Sequence, residues 1–118
     1  MSLTDVRTNS LVDRLPAGLL ASIVTRLNPR RVIVFGSQAT GIVRRDSDWD
    51  LLIIVDDDVP AESIDWRAMY EVRRGIAAAI DLIPCRESTF RERRSVVGSL
   101  PWMVATEGVV VYERPDQA

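Results

Sequence analysis

The chain has 118 residues, 47% of them apolar, and 17 acidic against 15 basic side chains give a formal net charge of −2. That length and apolar share fit one domain with a modest core, and the charge disfavours a general polyanion binder. Histidine and lysine are both absent, which excludes Ser-His and Cys-His catalytic pairs, His-ligated zinc, a Walker lysine and Schiff-base chemistry.

Residues 1–10 are polar and are expected to be loosely held. Residues 11–27 carry a helical pattern in which Leu19, Leu20, Ile23, Val24 and Leu27 form one apolar stripe. Pro16 reads as the first helical position or a kink, and Asn28-Pro29 as the stop. Residues 31–35, "RVIVF", read as a short buried strand. Gly36-Ser37 breaks it and opens a short helix with Ser37 as N-cap. Residues 48–55, "DWDLLIIV", make the next strand. Alternation puts Trp49, Leu51, Ile53 and Val55 on one face, and Asp48, Asp50, Leu52 and Ile54 on the other. Asp56-Asp57-Asp58 reads as a solvated turn.

A second helix is predicted over 65–78, with Trp66, Met69, Tyr70, Ile76 and Ala77 inward. Residues 79–85, "AIDLIPC", give a third strand, whose Pro84 cannot sit in a central ladder. Ser88 or Thr89 caps a third helix, interrupted by Gly98 and Pro101, and Gly108 turns the chain into a last strand, "VVVYE". The pattern α-β-α-β-α-β-α-β predicts an α/β (α+β) fold: a small mixed sheet with helices mainly on one face. No repeat or linker divides it, so residues 1–118 are expected to form a single domain.

The chemistry concentrates in two places. Gly36-Ser37 lies between a strand and a helix, a turn whose amides favour phosphate, although most such turns are only turns. Asp48 and Asp50 stand at i and i+2, on one side of a strand. Two carboxylates ~4 Å apart repel by roughly 4 kcal/mol at an effective dielectric near 20. Read alone, such a pair is more often a strand end with two solvated carboxylates than a site. Asp81 interrupts the apolar stretch "AAAIDLIP", where burial of a carboxylate is costly. It reads either as a strand-edge aspartate with a backbone partner or as the third donor of a site for a hard divalent cation. Arg86, Arg91, Arg93 and Arg94 read as a solvated helix face or a contact for an acidic partner or RNA. Cys85 reads as a small apolar residue.

The stretch "VFGSQATGIVRRDSDWDLLIIV" resembles the signature of the polymerase-β-like nucleotidyltransferase superfamily, and within it the minimal nucleotidyltransferase (MNT) domains that pair with HEPN proteins as toxin–antitoxin systems. Gly36, Ser37, Asp48, Asp50 and Asp81 match the motif positions, and Arg44 and Ser47 match positions the minimal subgroup usually keeps. Thr40 departs from a common arginine, so a phosphate contact there is missing or taken over by Arg44 or Arg45. Trp49 is bulkier than the usual aliphatic residue and reads as packing behind the site.

The resemblance implies that Asp48, Asp50 and Asp81 hold Mg2+ and carry the chemistry. Gly36, Ser37, Arg44 and Ser47 would then bind the nucleotide, ATP or another NTP. An NMP, most simply AMP, would pass to a hydroxyl acceptor, for which a separate HEPN protein is the family's precedent. Two alternatives stay open: a binding module that acts by occlusion, and transfer to a small molecule of the aminoglycoside type. Nucleic acid is not expected as a direct partner. Strand alternation also sets Leu52, Ile54, Ile83 and Cys85 on the aspartates' face, so that face is expected to keep apolar surface open for a helical partner or a second copy. The single cysteine, the absence of a membrane-length apolar run and the lack of a signal-peptide layout make the cytoplasm the expected setting.

Overall fold

The computed structural model describes residues 6–41 and 48–115. Their order is α1 (Val6–Arg14), α2 (Leu19–Leu27), β1 (Arg31–Phe35), α3 (Ser37–Thr40), β2 (Trp49–Val55), α4 (Trp66–Arg73), β3 (Ile80–Arg86), α5 (Glu87–Arg93), α6 (Leu100–Glu107) and β4 (Val109–Glu113). A 3-10 turn spans Ala61–Ser63. The predicted alternation holds, with the first and third of its longer helices each divided in two. Helix α1 begins at Val6, inside the stretch expected to be loosely held. Pro16 lies between α1 and α2 and is neither a first helical position nor a kink. Between α5 and α6, Ser99 ends the break by capping α6: its Oγ accepts the Trp102 N–H at 3.2 Å.

The four strands lie in the order β3-β2-β1-β4. Strand β1 is antiparallel to β2 and β4, whereas β2 and β3 are parallel. This is the mixed sheet that the sequence pattern predicts. Strand β2 is nearly all buried, which is why it reads as a continuous apolar run. Its Trp49, Leu51, Ile53 and Val55 pack with Leu19 and Ile23 of α2 and Met69 and Val72 of α4. Its Leu52 and Ile54 pack with Phe90 of α5 and Val104 of α6.

That second layer corrects one expectation. Helices α1, α2 and α4 do share a face, but the opposite face is not open. Leu52 and Ile54 are 1% and 0% exposed, and Ile83 and Cys85 join the same cluster. The C-terminal segment folds back because Phe90, Leu100, Met103 and Val104 supply their own apolar surface to cover it.

Helix α4 corrects another. It ends at Arg73, and its buried side carries Met69 and Val72. Trp66 and Tyr70, predicted inward, are 73% and 48% exposed. The helix packs mainly on α2, and among the described residues no element covers its outer side. Ala77 is exposed as well, and Ile76 is half-buried.

At the sheet end that carries Arg31 and Val55, the acidic run is structural. Asp56 pairs with Arg30 at 2.8 Å and Arg114 at 3.0 Å. Asp57 accepts the Ser88 N–H at 2.9 Å and so caps α5, in place of Ser88 or Thr89. Arg86 donates to the carbonyls of Asp57 and Val59, and Glu87 pairs with Arg31 and Arg91. Asp57 and Asp58 are exposed, as a solvated turn predicts, whereas Asp56 is half-buried in its arginine pairs. Among the described residues no helix is long and apolar enough to cross a membrane.

Candidate functional site

The strand registers bring the expected residues together. Antiparallel pairing sets Phe35 opposite Asp50, and parallel pairing sets Asp50 beside Asp81. The end of β1 and the starts of β2 and β3 therefore meet at one end of the sheet, with Asp48 immediately before β2.

Gly36 follows β1 with φ 75° and ψ −155°, a conformation that glycine adopts readily and other residues rarely. It is required for a second reason: a Cβ at this position would stand 2.5 Å from Asp50 Oδ2. The carboxylate of Asp50 thus rests on the backbone of the Gly-Ser turn. Ser37 is the first residue of α3, with Gly36 as the cap, rather than the N-cap itself. The Gly36 carbonyl accepts the N–H groups of Ala39 and Thr40 at 3.0 and 3.1 Å.

The turn is braced from behind. Gln38 is 5% exposed, and its Oε1 accepts from Arg14 Nη1 at 3.2 Å. The Arg14 guanidinium also lies 5.9 Å from the centroid of the Trp49 ring. Trp49 is buried, in the packing role predicted for it. Arg14 and Gln38 carry no signal in the sequence pattern, because their contact links α1 to α3 across the first strand.

The electrostatics are those of a site with surplus negative charge. Burial raises the Asp50 carboxyl above its ordinary value, and the negative charges of Asp81 and Asp48 and a hydrogen bond with Asp81 raise it further. Asp48 and Asp81 are exposed. Asp81 therefore avoids the burial that its apolar neighbours in sequence suggest, because it opens an edge strand at the end of the sheet. Among the described residues, no arginine pairs with any of the three. The other end of the sheet behaves in the opposite way. Burial alone would raise the Glu87 carboxyl, but Arg31, Arg91 and Arg30 outweigh it and hold it low. Arg114 and Arg30 likewise lower Asp56.

Among the described residues, no three acidic side chains already close on one point as a metal centre. The three aspartates supply the oxygen donors that a hard divalent cation takes, and Asp48 and Asp81 are open to solvent. Arg44, Arg45 and Ser47 lie outside the described residues. Arg91 is tied to Glu87, and Arg93 and Arg94 are exposed. Cys85 is half-buried, and burial and the nearby Glu87 push its thiol up, as suits a packing residue.

The fold and this end of the sheet define an α/β domain that gathers carboxylates beside a glycine turn. Residues 18–103 match the family profile of the nucleotidyltransferase domain, and the chain belongs to that family. No curated protein matches the chain at significance. Solved structures do. One is a toxin–antitoxin with AMP-PNP, at TM-score 0.59 and 18% identity over 82% of this chain and 72% of that one. A second, from Sulfolobus solfataricus and assigned as a nucleotidyltransferase, gives TM-score 0.54 and 23% identity over 97% and 93% of the two chains. A third is the toxin–antitoxin MntA-HpeT with two Asp→Glu substitutions two positions apart, at TM-score 0.52 and 16% identity over 91% and 73%. At these identities the likeness is one of fold.

Proposed function

We propose that the chain is a Mg2+-dependent nucleotidyltransferase that moves an NMP, most simply AMP from ATP, to a hydroxyl on a separate protein, and that it acts as the antitoxin of a pair with a HEPN-type partner. One observation carries the reading. Asp50 and Asp81 stand in register with Asp48 beside them, against the Gly36 turn, and no described cation offsets their charge. Family membership supports nucleotidyl transfer. The toxin–antitoxin structures that share the fold support the biological setting, one of them with AMP-PNP and one altered at two aspartates.

In this reading Asp48, Asp50 and Asp81 hold the metal, which when bound offsets charge on the triphosphate and aligns it for in-line attack. Gly36 and Ser37 hold the β- and γ-phosphates through amides and hydroxyl. Arg44 would add a charge-assisted contact to the nucleotide, and Ser47 is assigned to nucleotide binding by the family pattern alone. Asp81, exposed at the strand start, takes the proton of the incoming hydroxyl. The acceptor oxygen bonds to the α-phosphorus, the bond to the bridging oxygen breaks, and pyrophosphate leaves. The family's precedent for the acceptor is a tyrosine of the HEPN partner.

Calorimetry with ATP and Mg2+ tests the site. Wild type should bind, and an Asp48→Asn/Asp50→Asn double variant should not. Equal affinity in the two would overturn the assignment. Co-expression with the neighbouring gene product then separates transfer from occlusion. A partner whose mass grows by one or more AMP only when Asp81 is intact supports catalysis. An unmodified partner that is still neutralised supports occlusion.

A further inference from the structure

The outer side of α4 is composed like a protein contact rather than a solvated helix face. Trp66, Tyr70 and Arg73 follow one another at i, i+4 and i+7 and form one stripe. Both rings are exposed. Arg67 lies 5.3 Å from the Trp66 ring centroid and Arg73 5.6 Å from that of Tyr70, so each ring is held under a guanidinium. Beside the stripe, Met69, Leu82 and Pro84 line a groove of about 380 Å3 between α4 and β3. Tryptophan, tyrosine and arginine are the residues that carry most of the energy of protein–protein contacts.

The charges at the two ends of the stripe choose its occupant. Glu62 and Asp65 stand at the N-terminal end of α4, and Arg73 and Arg74 at its C-terminal end. Among the described residues, neither Glu62 nor Arg73 has an ion-pair partner. A two-fold axis near Tyr70 lays a second α4 antiparallel on the first. The acidic end of each copy then meets the basic end of the other, so that one surface satisfies itself, as an isologous pair requires. The neighbouring edge strand is closed to the other route of self-association. Trp49 donates to the Ala79 carbonyl at 2.9 Å, so alternation turns the backbone of Leu82 and Pro84 outward. Pro84 leaves that edge without a donor in its middle, which guards it against strand addition. We infer that the α4 stripe is a homodimer interface on which a second copy of this chain packs antiparallel. In the pair, each Trp66 lies over the other copy's Arg73, and the two Tyr70 rings meet at the axis. Helix α4 packs on the Trp49 and Leu51 side of the sheet, away from the Asp50 and Asp81 side chains, so both sites stay open. The inference is independent of the transferase reading.

Sedimentation velocity of the full chain tests it. A contact of one helix belongs to the small, weak class of interfaces, so the sedimentation coefficient should rise between about 1 and about 500 µM. Trp66→Ala/Tyr70→Ala should stay monomeric over that range. Both side chains face solvent, so its melting temperature at low concentration and its ATP–Mg2+ affinity should match those of wild type. Charge reversal tests the arrangement. Arg73→Glu/Arg74→Glu makes the stripe acidic at both ends. Glu62→Arg/Asp65→Ser makes it basic at both, and the serine keeps a capping oxygen for the Ala68 N–H. Each of these variants alone should lose about tenfold in self-affinity, and an equimolar mixture should recover the dimer because unlike ends meet again. A wild-type chain that is monomeric at the highest concentration overturns the inference. If the co-expressed neighbouring gene product then buries Trp66, the stripe belongs to that partner instead. A dimer that survives Trp66→Ala/Tyr70→Ala places the contact elsewhere and overturns it as well. A mixture that fails to recover refutes the antiparallel pairing. Loss of ATP affinity in the α4 variants would put the stripe at the nucleotide and overturn it too.

Discussion

Gly36 and Asp50 form a single contact whose two halves respond to substitution in opposite ways. Gly36→Ala places a methyl group 2.5 Å from Asp50 Oδ2 at a φ of 75°. It should destabilise the chain by about 1–3 kcal/mol, the range for a side chain forced into a glycine conformation, and it should also remove ATP binding. Urea unfolding of the variant checks the first and calorimetry the second. A methyl group accepted without loss would mean that the turn moves freely past the carboxylate. Asp50→Asn should stabilise the metal-free protein, because it removes a half-buried charge that two neighbours repel. Relief of roughly 1 kcal/mol, the like-charge term in water at ~4 Å, corresponds to a melting temperature higher by about 3 °C. A lower melting temperature would show that Asp50 is a structural hydrogen-bond partner and not a strained ligand.

The elements opposite this site carry carboxylates whose pairing is lost in acid. Arg114 and Arg30 hold the Asp56 carboxyl below its ordinary value of 3.8. The sign follows from that depression. The pairing contributes stability above the ordinary value and loses it as pH falls through the folded one. Asp56→Asn should therefore lower the melting temperature at pH 7 by a few degrees, for about 1 kcal/mol in a pair that water still screens in part. The gap should close as pH falls below 3.8, and a gap independent of pH would assign the loss to packing. Element by element, the sequence was legible where one periodicity dominated. Strand β2 with its two faces, the Asp48/Asp50 pair and the edge position of Pro84 follow from alternation and from proline's missing N–H, whereas the nearness of Asp81 is implied by the family resemblance and is seen in the β2–β3 register. The failures lie where a neighbour decides. The capping of α5 by Asp57 and the bracing of Gln38 by Arg14 join distant segments, so no local pattern carries them. Trp66 and Tyr70 look inward by composition, but α4 lies at the margin of the sheet and leaves them out. The aspartates' face reads as open in the sequence because the return of α5 and α6 over Leu52 and Ile54 is a tertiary event.

For the whole molecule, charge is sorted along the sheet. One end is neutralised within the chain by Arg30, Arg31, Arg91 and Arg114; among the described residues, the end with Asp48, Asp50 and Asp81 is not. A divalent cation should then act as a folding ligand. Mg2+ should raise the melting temperature of wild type in a concentration-dependent way, by mass action on the native state. The Asp48→Asn/Asp50→Asn variant should show no such rise in differential scanning fluorimetry. An equal rise in both would place the ion elsewhere.

The parallel pairing of β2 with β3 also sets when these charges first meet. Asp50 and Asp81 are neighbours only after α4 and its flanking loops have closed the crossover between them. Non-local parallel contacts of this kind form late, once loop closure has been met. The nascent chain and the early folding nucleus therefore escape the repulsion, and the finished sheet alone bears it. In kinetic terms, the carboxylates act as a spring on the unfolding side of the barrier. Asp81→Asn should leave the folding arm of a denaturant chevron in place and lower the unfolding arm by about fivefold for roughly 1 kcal/mol relieved. Bound Mg2+ should slow unfolding of wild type in the same way, so that the loaded protein is the longer-lived one. A shift confined to the folding arm would instead put the β2–β3 contact in the nucleus.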